Sequence, residues 1–93
     1  MNVSKVKEAD AVINRLKRIE GQMRGLIKMV EENKSCEDIL IQIGSAKSAL
    51  HKTGKVILEG HLQHCLIEAV RNGDEEEVLK RLSSAIEQFS RII

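Results

Sequence analysis

The spacing of the apolar residues restricts this chain more than any other feature of its sequence. From Lys7 to Glu32, and again from Cys36 to Arg71, apolar side chains recur every three or four residues, the period of one helix face. The chain contains no proline that would interrupt such helices. The pattern therefore predicts an all-α fold in which residues 1–93 form one domain built on two long antiparallel helices.

Residues with defined capping chemistry mark where these helices end. Ser35 is suited to cap the start of the second helix, with Asp38 as the acid three residues later. Gly73 is suited to the left-handed conformation that ends a helix. Asp74 is suited to the N-cap of a short third helix, whose apolar residues extend to Ile92.

The composition limits the core that one chain can build. The chain has 93 residues, and Phe89 is its only aromatic residue. A core of this size and composition is marginal in one subunit, so we expect a homo-oligomer in which two or four subunits share apolar surface.

The expected compartment follows from the apolar runs and the N-terminus. The N-terminus is polar, and no apolar run is long enough to cross a bilayer, so we expect a cytoplasmic protein with no membrane partner. Disulfides are rare in the cytoplasm. Cys36 and Cys65 are therefore interpreted as ligands, redox groups or small core residues.

Residues 15–28 form a basic stretch on a chain that is otherwise close to neutral. The formal net charge is +1, yet residues 15–28 contain five basic residues and only one acidic residue. The basic residues are Arg15, Lys17, Arg18, Arg24 and Lys28. Such a face indicates an anionic partner, although a solvated helix face has the same composition.

His61 and Cys65 form a candidate metal-binding pair. They stand four residues apart, which places both on one face of a helix, and His64 lies nearby as a possible extra ligand. Cys36 precedes His61 on the same predicted helix, so the two are roughly 37 Å apart. His51 is expected on the exposed side of this helix, without a role.

Two antiparallel copies of the second helix would bring Cys36 to the pair. If Cys36 of one copy faces the midpoint of His61 and Cys65 of the other, the helices cross near Ala49 and Leu50, where small residues permit close approach. Two thiolates and one imidazole suit Cu(I), whereas Zn(II) prefers a fourth ligand, which His64 would supply. The alternative is that these residues are ordinary core and surface residues.

Several runs together resemble the CsoR/RcnR/FrmR family of bacterial repressors, which respond to copper, nickel or cobalt, formaldehyde or persulfides. The runs are NRLKRIEGQMRG at 14–25, CEDIL at 36–40, the pair Gln42-Ile43, and HLQHC at 61–65. The resemblance extends over nearly the whole chain with similar spacing. It implies an antiparallel helical dimer, usually paired into a tetramer, without a helix-turn-helix.

The resemblance also implies a ligand set. The Cys-His-Cys pattern of the copper sensors matches Cys36, His61 and Cys65, so Cu(I) is the expected metal, with Zn(II) or Ni(II) as alternatives. Nickel and cobalt members have His in place of the last Cys, and persulfide sensors usually lack the His. Two positions depart from the copper pattern: Ser35 stands where a Tyr is often found, and Arg81 where a Glu often serves as an outer-shell partner.

A DNA-binding surface and a mechanism follow from the same resemblance. Arg15, Arg18 and Arg24, with Gln22, look suited to DNA phosphates, and Lys52 matches a basic position that family members use. The metal-free protein is expected to bind double-stranded operator DNA and block transcription. Metal binding would release the DNA and allow expression of metal efflux or resistance genes.

Three other functions remain open from the sequence. The first is a persulfide-sensing repressor in which Cys36 and Cys65 become bridged and His61 is a spectator. The second is a metal-buffering protein without a DNA role, and the third is a structural helical adaptor. An enzyme with a small-molecule substrate is not expected, since no nucleophile–base pair, phosphate loop or pair of carboxylates has suitable spacing.

Overall fold

The second helix is the longest element, and the other two pack against it. The computed structural model describes residues 9–92 as α1 (Ala9–Glu31), α2 (Cys36–Asn72) and α3 (Glu75–Ser90), and these residues contain no strand. The predicted all-α class is confirmed, while the predicted start of the first helix at Lys7 lies outside the described residues. None of the helices within 9–92 combines the length and apolar character of a membrane span.

The ends of α2 lie where the capping residues predict them. The Ser35 hydroxyl accepts a hydrogen bond from the Asp38 N–H at 3.1 Å, which satisfies a free amide in the first turn. Gly73 has φ 68°, and its N–H donates to the Ala69 carbonyl at 3.1 Å. Asp74 occupies the predicted N-cap position of α3, but its side chain makes no capping hydrogen bond.

The end of α3 lies close against the middle of α2. A Cβ atom added to Gly54 would meet Cε1 of Phe89 at 3.4 Å, so the glycine allows the ring to approach closely. The Phe89 and His51 rings are 5.2 Å apart between centroids and tilted by 33°. His51 is therefore half-buried, and the prediction that it faces solvent was wrong, because α3 folds back far enough to cover it.

The three helices form a flat layer rather than a closed bundle. The Cα atoms extend over 57 × 24 × 13 Å, and within residues 9–92 α1 and α3 each contact α2 but not each other. Among the described residues, sixteen large apolar side chains are at least 39% exposed. A single layer has no second surface against which to bury them, so one chain leaves much of its predicted core uncovered.

The left-handed cap of α2 provides a test of the fold. Gly73→Ala should lower the free energy of unfolding by roughly 1 kcal/mol, because a Cβ disfavours the positive φ that the cap requires. Denaturant unfolding followed by circular dichroism measures this change.

Gly25→Ala is the matched control for this substitution. Gly25 lies inside α1, without a positive φ, and a Cβ there meets no atom within 4 Å. This variant should be as stable as the parent protein or more stable, by up to about 1 kcal/mol. Equal losses of stability in the two variants would contradict the assignment of the cap.

Candidate metal centre

The three predicted metal ligands lie at opposite ends of one uninterrupted helix. Cys36 is the first residue of α2, and His61 and Cys65 lie near its C-terminal end. The helical rise places Cys36 roughly 37 Å from His61. Within residues 9–92, no group of three or more His, Cys, Asp or Glu side chains is arranged to hold a metal ion. A single chain thus carries the candidate site as two separate halves.

The two halves nevertheless face in the same direction. A rotation of about 100° per residue places Cys36 within roughly 20° of both His61 and Cys65 around the α2 axis. Leu40 and Ile43, on the Cys36 half of this face, are 59% and 47% exposed. On the other half, α3 packs over the helix, so only the Cys36 half is uncovered.

Cys65 and His61 lie in a partly enclosed environment between α2 and α3. Cys65 is only 1% exposed, whereas Cys36 is exposed. The buried Nε2 atom of His61 has no hydrogen-bond partner in the part of the chain that the structure describes. His61 also borders an apolar groove of about 270 Å³, to which α3 contributes Ala85 and Phe89. A buried ring nitrogen without a partner, one turn from a buried thiol, fits a metal ligand pair.

The electrostatics of this half-site favour a neutral imidazole. Burial lowers the pKa of His61 below its usual value, and the nearby Arg81 guanidinium lowers it further. Burial also raises the pKa of the Cys65 thiol, while Arg81 acts in the opposite direction. The neutral imidazole is the form that binds metals, and a metal ion would itself displace the thiol proton.

An ion pair that the sequence reasoning missed lies beside the half-site. Arg81 Nη2 of α3 lies 2.8 Å from Glu68 Oε2 of α2. His64, the possible extra ligand, has its Nε2 atom 3.5 Å from the other oxygen of Glu68. Glu68 is four residues after His64 and three after Cys65, so helical spacing alone would have placed it on this face.

The predicted DNA-binding residues lie at more than one location on the surface. Arg15, Arg18 and Gln22 line a groove of about 240 Å³ between α1 and α2, and Gln22 Nε2 donates to Ser45 Oγ at 3.4 Å. The structure brings these three predicted residues together, with two guanidinium groups on one concave surface.

The other two predicted DNA-binding residues lie apart from this groove. Arg24 Nη1 is 3.3 Å from Glu20 Oε1 on the exposed side of α1. Lys52 is exposed and borders a second groove, together with Lys47 and His51. Within one chain, the five residues therefore do not form a continuous basic surface.

Known proteins share both the sequence pattern and the fold. The family described as "metal-sensitive transcriptional repressor" matches residues 8–91. The copper-sensing transcriptional repressor CsoR of Bacillus subtilis is 40% identical over 91 residues, which cover 98% of this chain and 90% of the relative.

Two solved structures have closely similar folds. The copper-sensing repressor CsoR with Cu(I) from Geobacillus thermodenitrificans NG80-2 has a TM-score of 0.80 and 46% identity, over 90% of this chain and 88% of that one. The nickel-responsive transcriptional regulator InrS also has a TM-score of 0.80, with 38% identity, over 86% of this chain and 90% of that one.

The lowered pKa of His61 predicts how stability depends on pH. The folded, metal-free protein binds fewer protons at this ring than the unfolded chain, whose histidine pKa is near 6.5. The stabilisation that His61 contributes as a neutral ring is therefore complete above pH 6.5 and is lost as the pH falls below that value. Urea unfolding of metal-free protein between about pH 7.5 and pH 5 should show a smaller loss of stability in His61→Gln than in the parent.

Titration of the His61 ring by NMR provides a direct check. Its midpoint should lie below 6.5 in the folded protein. An identical pH dependence of stability in parent and variant, with a ring midpoint at or above 6.5, would contradict the burial of this side chain.

Proposed function

The chain belongs to the family of metal-sensitive transcriptional repressors, and on that premise we propose that it binds operator DNA without metal and releases it when Cu(I) joins Cys36 of one subunit to His61 and Cys65 of another. Release would permit transcription of metal efflux or resistance genes. The observation that carries the proposal is that two thiols and one imidazole share one face of α2. As a member of a family of transcriptional repressors, the protein is not an enzyme.

The donor set supports Cu(I) over the other metals. Two thiolates and one imidazole form a soft set of low coordination number, which Cu(I) accepts. Zn(II) would require a fourth ligand, and the nearest candidate, His64, already lies against Glu68. Ni(II) is the alternative suggested by the similarity to InrS, but a site with two Cys and one His is the set expected for copper.

A second antiparallel subunit would complete the site. The exposed half of the α2 face, which includes Leu40 and Ile43, needs an apolar partner. In the register that sets Cys36 opposite His61 and Cys65, the two copies of α2 cross near their middle. The twofold symmetry of such a dimer then creates two equivalent sites.

The position of α3 suggests how metal binding reaches the DNA-binding surface. Cys65 is almost fully buried, so a thiolate from a second subunit reaches it only if the local packing changes. At its other end, α3 places Phe89 against His51, the neighbour of Lys52. A shift of α3 at the metal site would therefore move the surroundings of a basic residue assigned to DNA. The coupling is reciprocal, so DNA must weaken Cu(I) binding by the same factor.

A second candidate is a persulfide-sensing repressor, for which the two cysteines on one face of α2 are the supporting observation. Burial raises the pKa of the Cys65 thiol and Arg81 opposes this only in part, so the exposed Cys36 is the more accessible thiol for the first step. One thiolate would take a sulfur atom from a persulfide donor, which leaves as a thiol. The other cysteine would then attack the modified residue, forming a Cys36–Cys65 disulfide and releasing sulfide.

An anaerobic titration of the DNA-bound protein distinguishes the two candidates. One Cu(I) per subunit should weaken operator binding by about 5- to 150-fold, the usual range of such coupling. Cys36→Ala and His61→Ala should both lose this response, because each removes a ligand. Fluorescence anisotropy of labelled operator DNA measures the release.

His51→Ala is the control for removal of a histidine from α2, and it should still bind Cu(I) at one equivalent. Because His51 contacts Phe89 in the proposed coupling, its control readout is Cu(I) binding rather than DNA release. If Cu(I) leaves the complex intact, while a persulfide donor releases DNA from both the parent and His61→Ala, then the protein belongs to the sulfur-sensing branch instead.

The role of Lys52 can be tested through the salt dependence of DNA binding. Lys52→Ala should weaken operator binding at every sequence and reduce the slope of log K against log salt by about 1, because one phosphate contact is lost. Lys80→Ala removes an equally exposed lysine from α3 and should leave the slope unchanged. Equal slopes for Lys52→Ala and the parent would remove Lys52 from the DNA interface.

A further inference from the structure

The ion pair between Glu68 and Arg81 differs from the other ion pairs of the described residues. The remaining pairs within residues 9–92 join residues four apart along the chain, whereas this pair joins α2 to α3. Its N–O distance is 2.8 Å, and the two side chains are 28% and 34% exposed. The Nε atom of Arg81 is buried and has no hydrogen-bond partner among residues 9–92. Within this part of the chain, Glu68 is the one carboxylate that binds the guanidinium.

This ion pair is one of the contacts that hold α3 against α2. At one end, Phe89 packs against Gly54 and His51. At the other end, Arg81 is bound to Glu68. Cys65 lies on α2 between these two contacts and is 1% exposed. The position of α3 above Cys65 thus combines apolar packing, in which Val78 is buried and Phe89 contacts α2, with one ion pair between the helices.

We propose that the Glu68–Arg81 ion pair is a latch, which holds α3 over Cys65 until a ligand from a second subunit enters. The proposal rests on the function proposed above, in which Cys36 of the partner must reach Cys65. It assigns Glu68 and Arg81 as positioning residues that control access to the half-site, rather than as ligands.

The charges of the completed site give Arg81 a second partner. Two thiolates, a neutral imidazole and one Cu(I) together carry a net charge of −1. An anion of this kind beside Arg81 competes with Glu68 for the guanidinium. Opening of the latch is therefore favoured when the site fills and disfavoured when it is empty.

Labelling of Cys65 tests the latch without metal or DNA. In a Cys36→Ser background, Cys65 is the only thiol in the chain, and a neutral reagent such as iodoacetamide reports its accessibility. Glu68→Gln and Arg81→Gln should each raise the labelling rate by roughly fivefold, the upper factor for an ion pair of partial exposure. The double variant Glu68→Arg with Arg81→Glu should restore the slow rate, because it re-forms the pair.

The two single variants distinguish a change in the accessibility of Cys65 from a change in the pKa of its thiol. Glu68 raises the pKa of Cys65 and Arg81 lowers it, so an electrostatic effect alone would change the two labelling rates in opposite directions. A latch changes them in the same direction. Arg91→Gln breaks an exposed pair with Glu87 at the C-terminal end of α3 and should leave the rate unchanged.

Opposite changes in the two variants, or unchanged rates in both, would overturn the proposal. Arg81→Lys keeps the charge and should give a rate close to the parent, which guards against a variant that fails to fold. Circular dichroism confirms that each variant is helical. Since the labelling needs neither Cu(I) nor operator DNA, a protein that fails to release DNA with Cu(I) yet shows faster labelling in both variants would retain the latch and lose the copper function.

Discussion

The uninterrupted length of α2 is the constraint on which the rest of the molecule depends. A continuous helix of 37 residues is about 55 Å long, which is nearly the whole length of the chain's long axis. It places Cys36 and Cys65 on one face yet too far apart to bind the same metal ion. His61 and Cys65 of one chain can bind one ion together, but a site that also includes Cys36 requires a second copy. A metal site that includes all three residues would therefore form only when two subunits assemble.

The flat shape of the chain is a second, independent reason to expect a partner subunit. A layer one helix thick cannot enclose a core, and the large apolar residues of one face stay exposed. The uncovered half of the α2 face is the half that carries Cys36, while α3 covers the half that carries Cys65. An antiparallel partner that buries the Cys36 half would also contact the Cys65 half, which α3 covers. Burial of apolar surface would therefore supply the free energy that brings the two halves of the site together.

Features set by residues close together in the sequence were predicted correctly. Environments that depend on where α3 packs were missed. The caps at Ser35 and Gly73 follow from chemistry within a few residues, and both were predicted correctly. The placement of His51 was wrong, and Glu68 was overlooked, because each takes its environment from α3. Arg81 and Glu68 are thirteen residues apart and meet only after the chain reverses at Gly73. A pattern along one helix contains no information about such a meeting.

The ion pair also explains how arginine is compatible with a metal half-site at this position. An isolated guanidinium beside His61 would be a partly buried charge with unsatisfied donors, which is costly. Glu68 neutralises it, while burial and Arg81 itself keep the imidazole neutral, as a metal ligand must be. The same guanidinium favours the thiolate form of Cys65. In the proposed mechanism Arg81 would therefore serve both states of the half-site: it pairs with Glu68 when the site is empty, and it would stabilise the negative charge of the thiolates when the site is filled.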